Sequence, residues 1–328
     1  MCTTINIINL GDLKEKGKIY NAIGKANQQQ SSFHFEIVQK KIKGSEKSIE
    51  SFILSNGGYD FCSLAEYIVK KNEFINHTIF ITSEPFSTKD QGNKPEEFYF
   101  HHNNSPYKYS IISTYLWEQL EQEYSLQSYI ILMFALIMIQ QYIELGIHDE
   151  TRGCICDYCD NPSNILNIFE ENTGLCTECN AYIYNQLEKG KISIDILSSI
   201  KRLINRGLNK KMCFVAFPYT TEFRQTYKTI QNVLEKWSVF KAEDEEYPQK
   251  ISDAIQLDIS ECDLFIAEIT NPNPNVFYEI GLAQNTLSRK ILLSQNEDIP
   301  FDLKLDRVIQ YKSLEDLKVK LSSLNSLN

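Results

Sequence analysis

The chain has 328 residues, 42% of them hydrophobic and 23% charged, with a net charge of -10 and a pI near 5.2. That length and balance fit two globular domains with real cores. The acidity excludes nucleic-acid binding spread over the whole surface, because such binding rests on neutralising phosphates. The longest apolar run, residues 129–139, is too short for a bilayer, which needs about 20 residues. The start lacks the basic and apolar regions of a secretory signal, so a cytoplasmic protein with reduced thiols and no membrane contact is expected.

In chain order, residues 5–10 (INIINL) read as a first strand, since β-branched apolar runs suit a buried sheet. A helix is expected over 13–28, a strand over 33–39, helical segments over 48–55 and 62–71, and a strand over 77–83. Residues 84–107 are mostly polar and broken by Gly92, Pro95 and Pro106, so they read as loop-rich, with His101 and His102 as part of the loop's polarity. A short strand over 109–113 precedes a helix over 125–145, apolar enough to be buried on all sides. An amphipathic helix over 195–205 reads as a linker, with the boundary at 207–211. Beyond it come strand 212–217, helix 223–237, strand 238–242, and a helix with Ile251, Ile255 and Ile259 at i, i+4 spacing. Strand 264–269, helix 276–287, strand 290–293, a short strand at 308–311 and a helix over 313–324 follow. Strands alternating with helices imply an α/β fold, a parallel sheet covered on both faces. The expected domains are 1–190, with a zinc site, a helical linker over 191–210, and 211–328.

Five cysteines stand between Cys154 and Cys179. Cys156-x2-Cys159 and Cys176-x2-Cys179, sixteen residues apart, have the spacing of a structural zinc site, where paired thiolates from two turns complete a tetrahedron. Cys154 and Cys159 also form Cys-x4-Cys, so either Cys154 or Cys156 can supply the fourth thiolate. His148, an isolated histidine after a helix, reads as a surface or capping residue. The order apolar helix, Cys-x4-Cys, gap, Cys-x2-Cys resembles the second, structural zinc site of archaemetzincin-type peptidases. In that family the preceding helix carries HExxH. With Gly146 in register, the histidine positions here hold Ile139 and Ile143, and the glutamate position holds Gln140. Neither a catalytic zinc nor a general base can be built from those residues. The resemblance implies a degenerate peptidase-like domain over 1–190, kept for sensing, dimerisation or scaffolding. A plain zinc ribbon on an unrelated α/β domain is the alternative.

Residues 273–281 (NPNVFYEIG) follow a buried-strand pattern and open a helix. Glu279 is therefore expected in a first helical turn at the carboxyl end of a strand, where open α/β sheets place their ligand crevice. A helix N-terminus favours an ionised carboxylate by about 0.3–1 kcal/mol. A charged glutamate facing a crevice is what a sugar C1′ cation requires. This stretch, with the Phe217-Pro218-Tyr219 turn, Arg224, Tyr227, the Glu243-Asp244 loop and Asp263, resembles the nucleoside 2-deoxyribosyltransferase-like and TIR-like nucleotide-processing domains over residues 211–315.

That resemblance implies a flavodoxin-like sheet, a pocket for a nucleoside, nucleotide or NAD, and Glu279 acting on the anomeric carbon. It matches Phe217 and Pro218 to the turn bordering base or ribose, Asp244 to an acidic loop, and Asn275 to the polar residue opening the catalytic helix. Transferases of the family often carry Asp-x-Gly at that last place, so hydrolysis and cyclisation stay open. Phe217, Tyr219, Phe277 and Tyr278 can supply apolar walls, and Arg224 can hold a phosphate bidentately. Plainer readings stand beside these: a solvated helix position for Arg224, a charged loop for Asp244, a strand cap for Asp263 and core for Tyr278. The expected function is cleavage of an N-glycosidic bond in NAD or a related nucleotide, by analogy in bacterial defence. The alternative is a non-catalytic nucleotide sensor whose zinc domain meets a protein partner. A homo-oligomer is expected in either case.

Overall fold

The computed structural model describes residues 2–38, 52–54, 59–86, 101–104, 106–115, 117, 124–149, 151–158, 164–242, 251–286, 288–303 and 306–322. It divides into two compact units, Met1–Leu208 and Asn209–Asn328. Both are α/β, each around one five-stranded sheet.

The first unit runs β1 (Thr3–Leu10), α1 (Lys16–Gln29), β2 (Phe33–Ile37), α2 (Phe61–Asn72), β3 (Thr78–Thr82), β4 (His101–Asn104), β5 (Tyr109–Ser113), α3 (Leu126–Tyr142), α4 (Asn164–Glu171), α5 (Thr177–Glu188) and α6 (Ile194–Gly207). The sheet order is β2-β1-β3-β5-β4, parallel except for β4. Strand β4 lies within the loop-rich stretch 84–107 and corrects the reading of His101 and His102 as loop residues. Its sequence, His-His-Asn-Asn, has no apolar alternation, and pairing with β5 makes it a strand; tertiary context overrides weak β-propensity. A polar chain fixes it. Asn103 Oδ1 accepts from Ser110 Oγ at 2.8 Å and from Gln141 Nε2 at 2.8 Å, and His77 Nε2 lies 2.9 Å from Ser110 Oγ. Burial holds the His77 imidazole at a pKa of about 4, below its ordinary 6.5.

Helix α3 starts at Ser125, whose hydroxyl accepts the Ser128 N–H at 3.1 Å, an N-cap. Every residue from Tyr129 to Ile139 is buried, as its apolar sequence required. It packs against α1 and α6. Thus α6, which the sequence reading made a linker, is part of the first unit's helical layer. Gly207 permits the approach: a Cβ there would lie 2.5 Å from Leu132 Cγ. Helix α2 covers the other face, where Phe61, Leu64 and Ile68 join Ile8, Phe80 and Ile111.

The second unit runs β6 (Met212–Ala216), α7 (Thr221–Val233), β7 (Ser238–Phe240), α8 (Ile251–Glu261), β8 (Leu264–Glu268), α9 (Pro274–Ala283), β9 (Arg289–Ser294), β10 (Val308–Gln310) and α10 (Leu314–Ser322). All five strands are parallel, in the order β10-β9-β8-β6-β7. This is the flavodoxin-like order, which reverses direction between its first and third strands. Alternate strand residues divide the core. Val215, Ile266 and Leu293 pack with Phe223, Ile230 and Leu317 on the α7 and α10 side. Phe214, Phe265 and Leu292 pack with Ile259, Val276 and Ile280 on the α8 and α9 side. Asp263 Oδ2 accepts the Met212 N–H at 3.0 Å and so caps the amino end of β6, away from the crevice.

Candidate active site and candidate metal centre

The switch point of the second sheet lies between the carboxyl ends of β6 and β8. The chain leaves β8 through Thr270 and enters α9 at Asn273. The Asn273 side chain accepts the N–H groups of Asn275 at 2.9 Å and Val276 at 3.3 Å. Pro274 occupies the first helical position, where its missing N–H costs nothing. The helix therefore starts two residues earlier than the sequence reading placed it, and Glu279 stands in the second turn, not the first. The macrodipole fades within the first turn, so burial decides its electrostatics. Glu279 is 5% exposed, and burial pushes its carboxyl from 4.5 up to about 7. Among the described residues its carboxyl has no hydrogen-bond or ion-pair partner.

A second acid, Glu268, was not singled out in the sequence. It is the last residue of β8 and fully buried. Its Oε1 accepts the Thr270 N–H at 2.9 Å and the Thr270 hydroxyl, and its Oε2 accepts the Tyr311 hydroxyl at 2.7 Å. Burial raises its pKa, against the pull of those donors. Gln295 N and Asn296 Nδ2 bind Thr270 Oγ1 and O at 2.9 and 2.6 Å. The loop leading to Asn273 is thereby tied to β8, β9 and the end of β10. The signal was present: a lone acid inside the apolar run LFIAEI.

The remaining sequence-derived residues distribute as follows. Phe217 is buried, stacked at 5.1 Å on Tyr227 and tilted at 5.1 Å against Tyr219. It belongs to the cluster on the α7 side, whereas Glu279 rides on α9, which covers the opposite face. Pro218 is buried. Tyr219 is 41% exposed, with Lys241 Nζ 5.6 Å from its ring centroid, and Tyr278 is 54% exposed, so neither is a closed apolar wall. Arg224 and Asn275 are exposed. Asp244 and Cys159 lie outside the described residues.

In the first unit, Ile139 and Ile143 are buried apolar residues of α3 and its end, without donor atoms for a metal. Six residues further on, a different cluster forms. His148, Cys154, Cys176 and Cys179 place one donor atom each within 4.8 Å of one another. Cys154 Sγ and Cys179 Sγ are 3.8 Å apart, and Cys176 Sγ lies 3.6 Å from His148 Nε2. A tetrahedral zinc with Zn–S about 2.3 Å and Zn–N about 2.0–2.1 Å spaces two sulfurs about 3.8 Å apart, and sulfur and nitrogen about 3.5 Å apart. The number of donors and these two separations thus fit zinc. Cys154 Sγ also accepts the N–H groups of Cys156 at 3.4 Å and Cys176 at 3.3 Å. The sulfurs of Cys156 and Cys179, with those amides, hold the Cys154 thiol well below its ordinary range, while Cys156 is pushed well above. His148, which the sequence reading set aside, is brought into the cluster by a fold that residue spacing does not encode.

No protein-family model and no curated protein matches the chain. Among solved structures, it resembles archaemetzincin from Methanopyrus kandleri, with 13% identity and a TM-score of 0.40, over 57% of this chain and 96% of that one. It resembles the CMP N-glycosidase BcmB of Clostridium botulinum, with 25% identity and a TM-score of 0.28, over 34% of this chain and 99% of that one. A 2-deoxyribosyltransferase from Bacillus psychrosaccharolyticus aligns at 14% identity and a TM-score of 0.27, over 34% of this chain and 95% of that one. All three scores are low, and none says what this chain acts on.

Proposed function

We propose that the second unit breaks the N-glycosidic bond of a nucleotide or nucleoside, and that the first unit is held together by a structural zinc. The observation carrying the first half is Glu279. Buried carboxyls are ordinarily paired or hydrogen-bonded, as Glu268 is with Thr270 and Tyr311. Glu279 is buried to a similar degree with no such partner among the described residues, on the helix that follows the carboxyl end of β8 in a doubly wound sheet. Perturbed acids in that setting mark functional sites.

When the C1′–N bond breaks, its electron pair leaves with the base and positive charge develops on the sugar. An ionised Glu279 stabilises that charge or bonds to C1′, and water completes hydrolysis. Glu268 does not touch the sugar in this reading; it positions the loop that aims α9. Tyr219 and Tyr278, exposed at the rim, offer faces for a base.

The test is incubation of the purified chain with CMP, other nucleotides, deoxynucleosides and NAD, with chromatography for free base or nicotinamide. Wild-type protein is expected to release base at a rate that rises as pH increases through about 7, where Glu279 ionises. Glu279→Gln is expected to lower the rate by about 100-fold or more. Release that survives the substitution overturns the assignment. Saturable nucleotide binding without turnover by either form favours a sensor.

A further inference from the structure

The sequence reading gives the zinc four thiolates. We infer that the centre instead takes three thiolates and one imidazole, from Cys154, Cys176, Cys179 and His148, with Asp157 as the carboxylate that aims the histidine and Cys156 left unligated. This rests on the reading that the first unit holds a zinc, and it assigns the atoms.

Three observations carry it. The first is distance: Cys176 Sγ sits 3.6 Å from His148 Nε2, the separation of two ligands on one ion, and among the described residues the four donors form a mutually close set. Cys156 touches the Cys154 and Cys179 sulfurs but is outside that set. The second is the far side of the ring. His148 Nδ1 lies 3.1 Å from Asp157 Oδ1, and the Asp157 side chain is fully buried. A proton on Nδ1 shared with that carboxylate leaves the Nε2 lone pair facing the sulfurs, the arrangement that fixes ligating histidines in metal sites. Asp157 is itself held, because Oδ2 accepts the N–H groups of Arg152 at 2.7 Å and Cys154 at 2.9 Å. The third is the main chain. His148 N donates to Cys156 O at 3.0 Å, and Tyr158 N donates to His148 O at 2.9 Å. The main chain thus pins the histidine to the turn carrying Cys154. The contribution of Cys156 is its backbone: an N–H to the Cys154 sulfur and a carbonyl to His148.

Zinc K-edge X-ray absorption on the full chain, loaded with one equivalent of zinc, tests this without any variant. Three sulfurs and one nitrogen in the first shell are expected; four sulfurs overturn the ligand assignment while leaving the zinc reading intact. Failure of the chain to retain zinc overturns both. Competition with a chromophoric chelator adds a second measurement. Cys156→Ser is expected to keep wild-type affinity, and Asp157→Asn to weaken it about 10–100-fold. Loss of zinc in Cys156→Ser, with retention in His148→Ala, overturns the proposal.

Discussion

In the first unit several buried polar groups are linked in one chain, whereas in the second a buried acid, Glu279, has no hydrogen-bond or ion-pair partner among the described residues. His77, Ser110, Asn103 and Gln141 close a chain between β3, β4, β5 and α3, and Asp157 serves both His148 and two amides. The second unit satisfies Glu268 in the same manner but leaves Glu279 desolvated. A satisfied network holds structure together; an unsatisfied carboxyl is an energetic burden that folding alone would remove. Under the proposed function, Glu279 is the carboxyl kept for chemistry.

The contrast also gives the two units opposite responses to pH. His77 has a folded pKa of about 4 against 6.5 unfolded, so its contribution is present above 6.5 and lost as pH falls through 4. Glu279 has a folded pKa of about 7 against 4.5, so the stability of its protonated form is full below 4.5 and lost as pH rises through 7. Each amounts to at most on the order of 3 kcal/mol. Peptide-resolved hydrogen exchange across pH 4 to 8 reads both on the intact chain, those limits spanning the two transitions. Glu279→Gln is expected to raise protection in the second unit at the alkaline end by up to about 3 kcal/mol and to change little at the acid end. Equal effects at both ends would show that the carboxyl is hydrated after all. In the first unit, His77→Gln is expected to flatten the acid-side loss; an unchanged slope would assign it to other groups. The smallest expected effect is Asn273→Ala, about 1 kcal/mol from the lost cap, seen as faster exchange in the first turn of α9 only.

Much of the fold was legible because burial writes itself into apolar runs. The strand patterns at INIINL, TIFIT, MCFVA and LFIAE, and the continuous apolar face of α3, needed no tertiary knowledge. β4 was illegible because His101 to Asn104 become a strand only by pairing with β5. The start of α9 was misplaced because Asn-Pro-Asn looks like a breaker until Asn273 is seen to cap it, which moved Glu279 one turn along and exchanged a dipole argument for a desolvation one. Cys154, Cys176 and Cys179 were visible by spacing. His148 and Asp157 were not, because a histidine six residues beyond a helix acquires meaning only when a turn folds back against it.

The two outermost strands of the second sheet, Ser238–Phe240 and Val308–Gln310, are only three residues long. Such stubs expose too few free amides and carbonyls to recruit a strand from a neighbour. Sideways extension of this sheet by a strand from a second copy is therefore disfavoured.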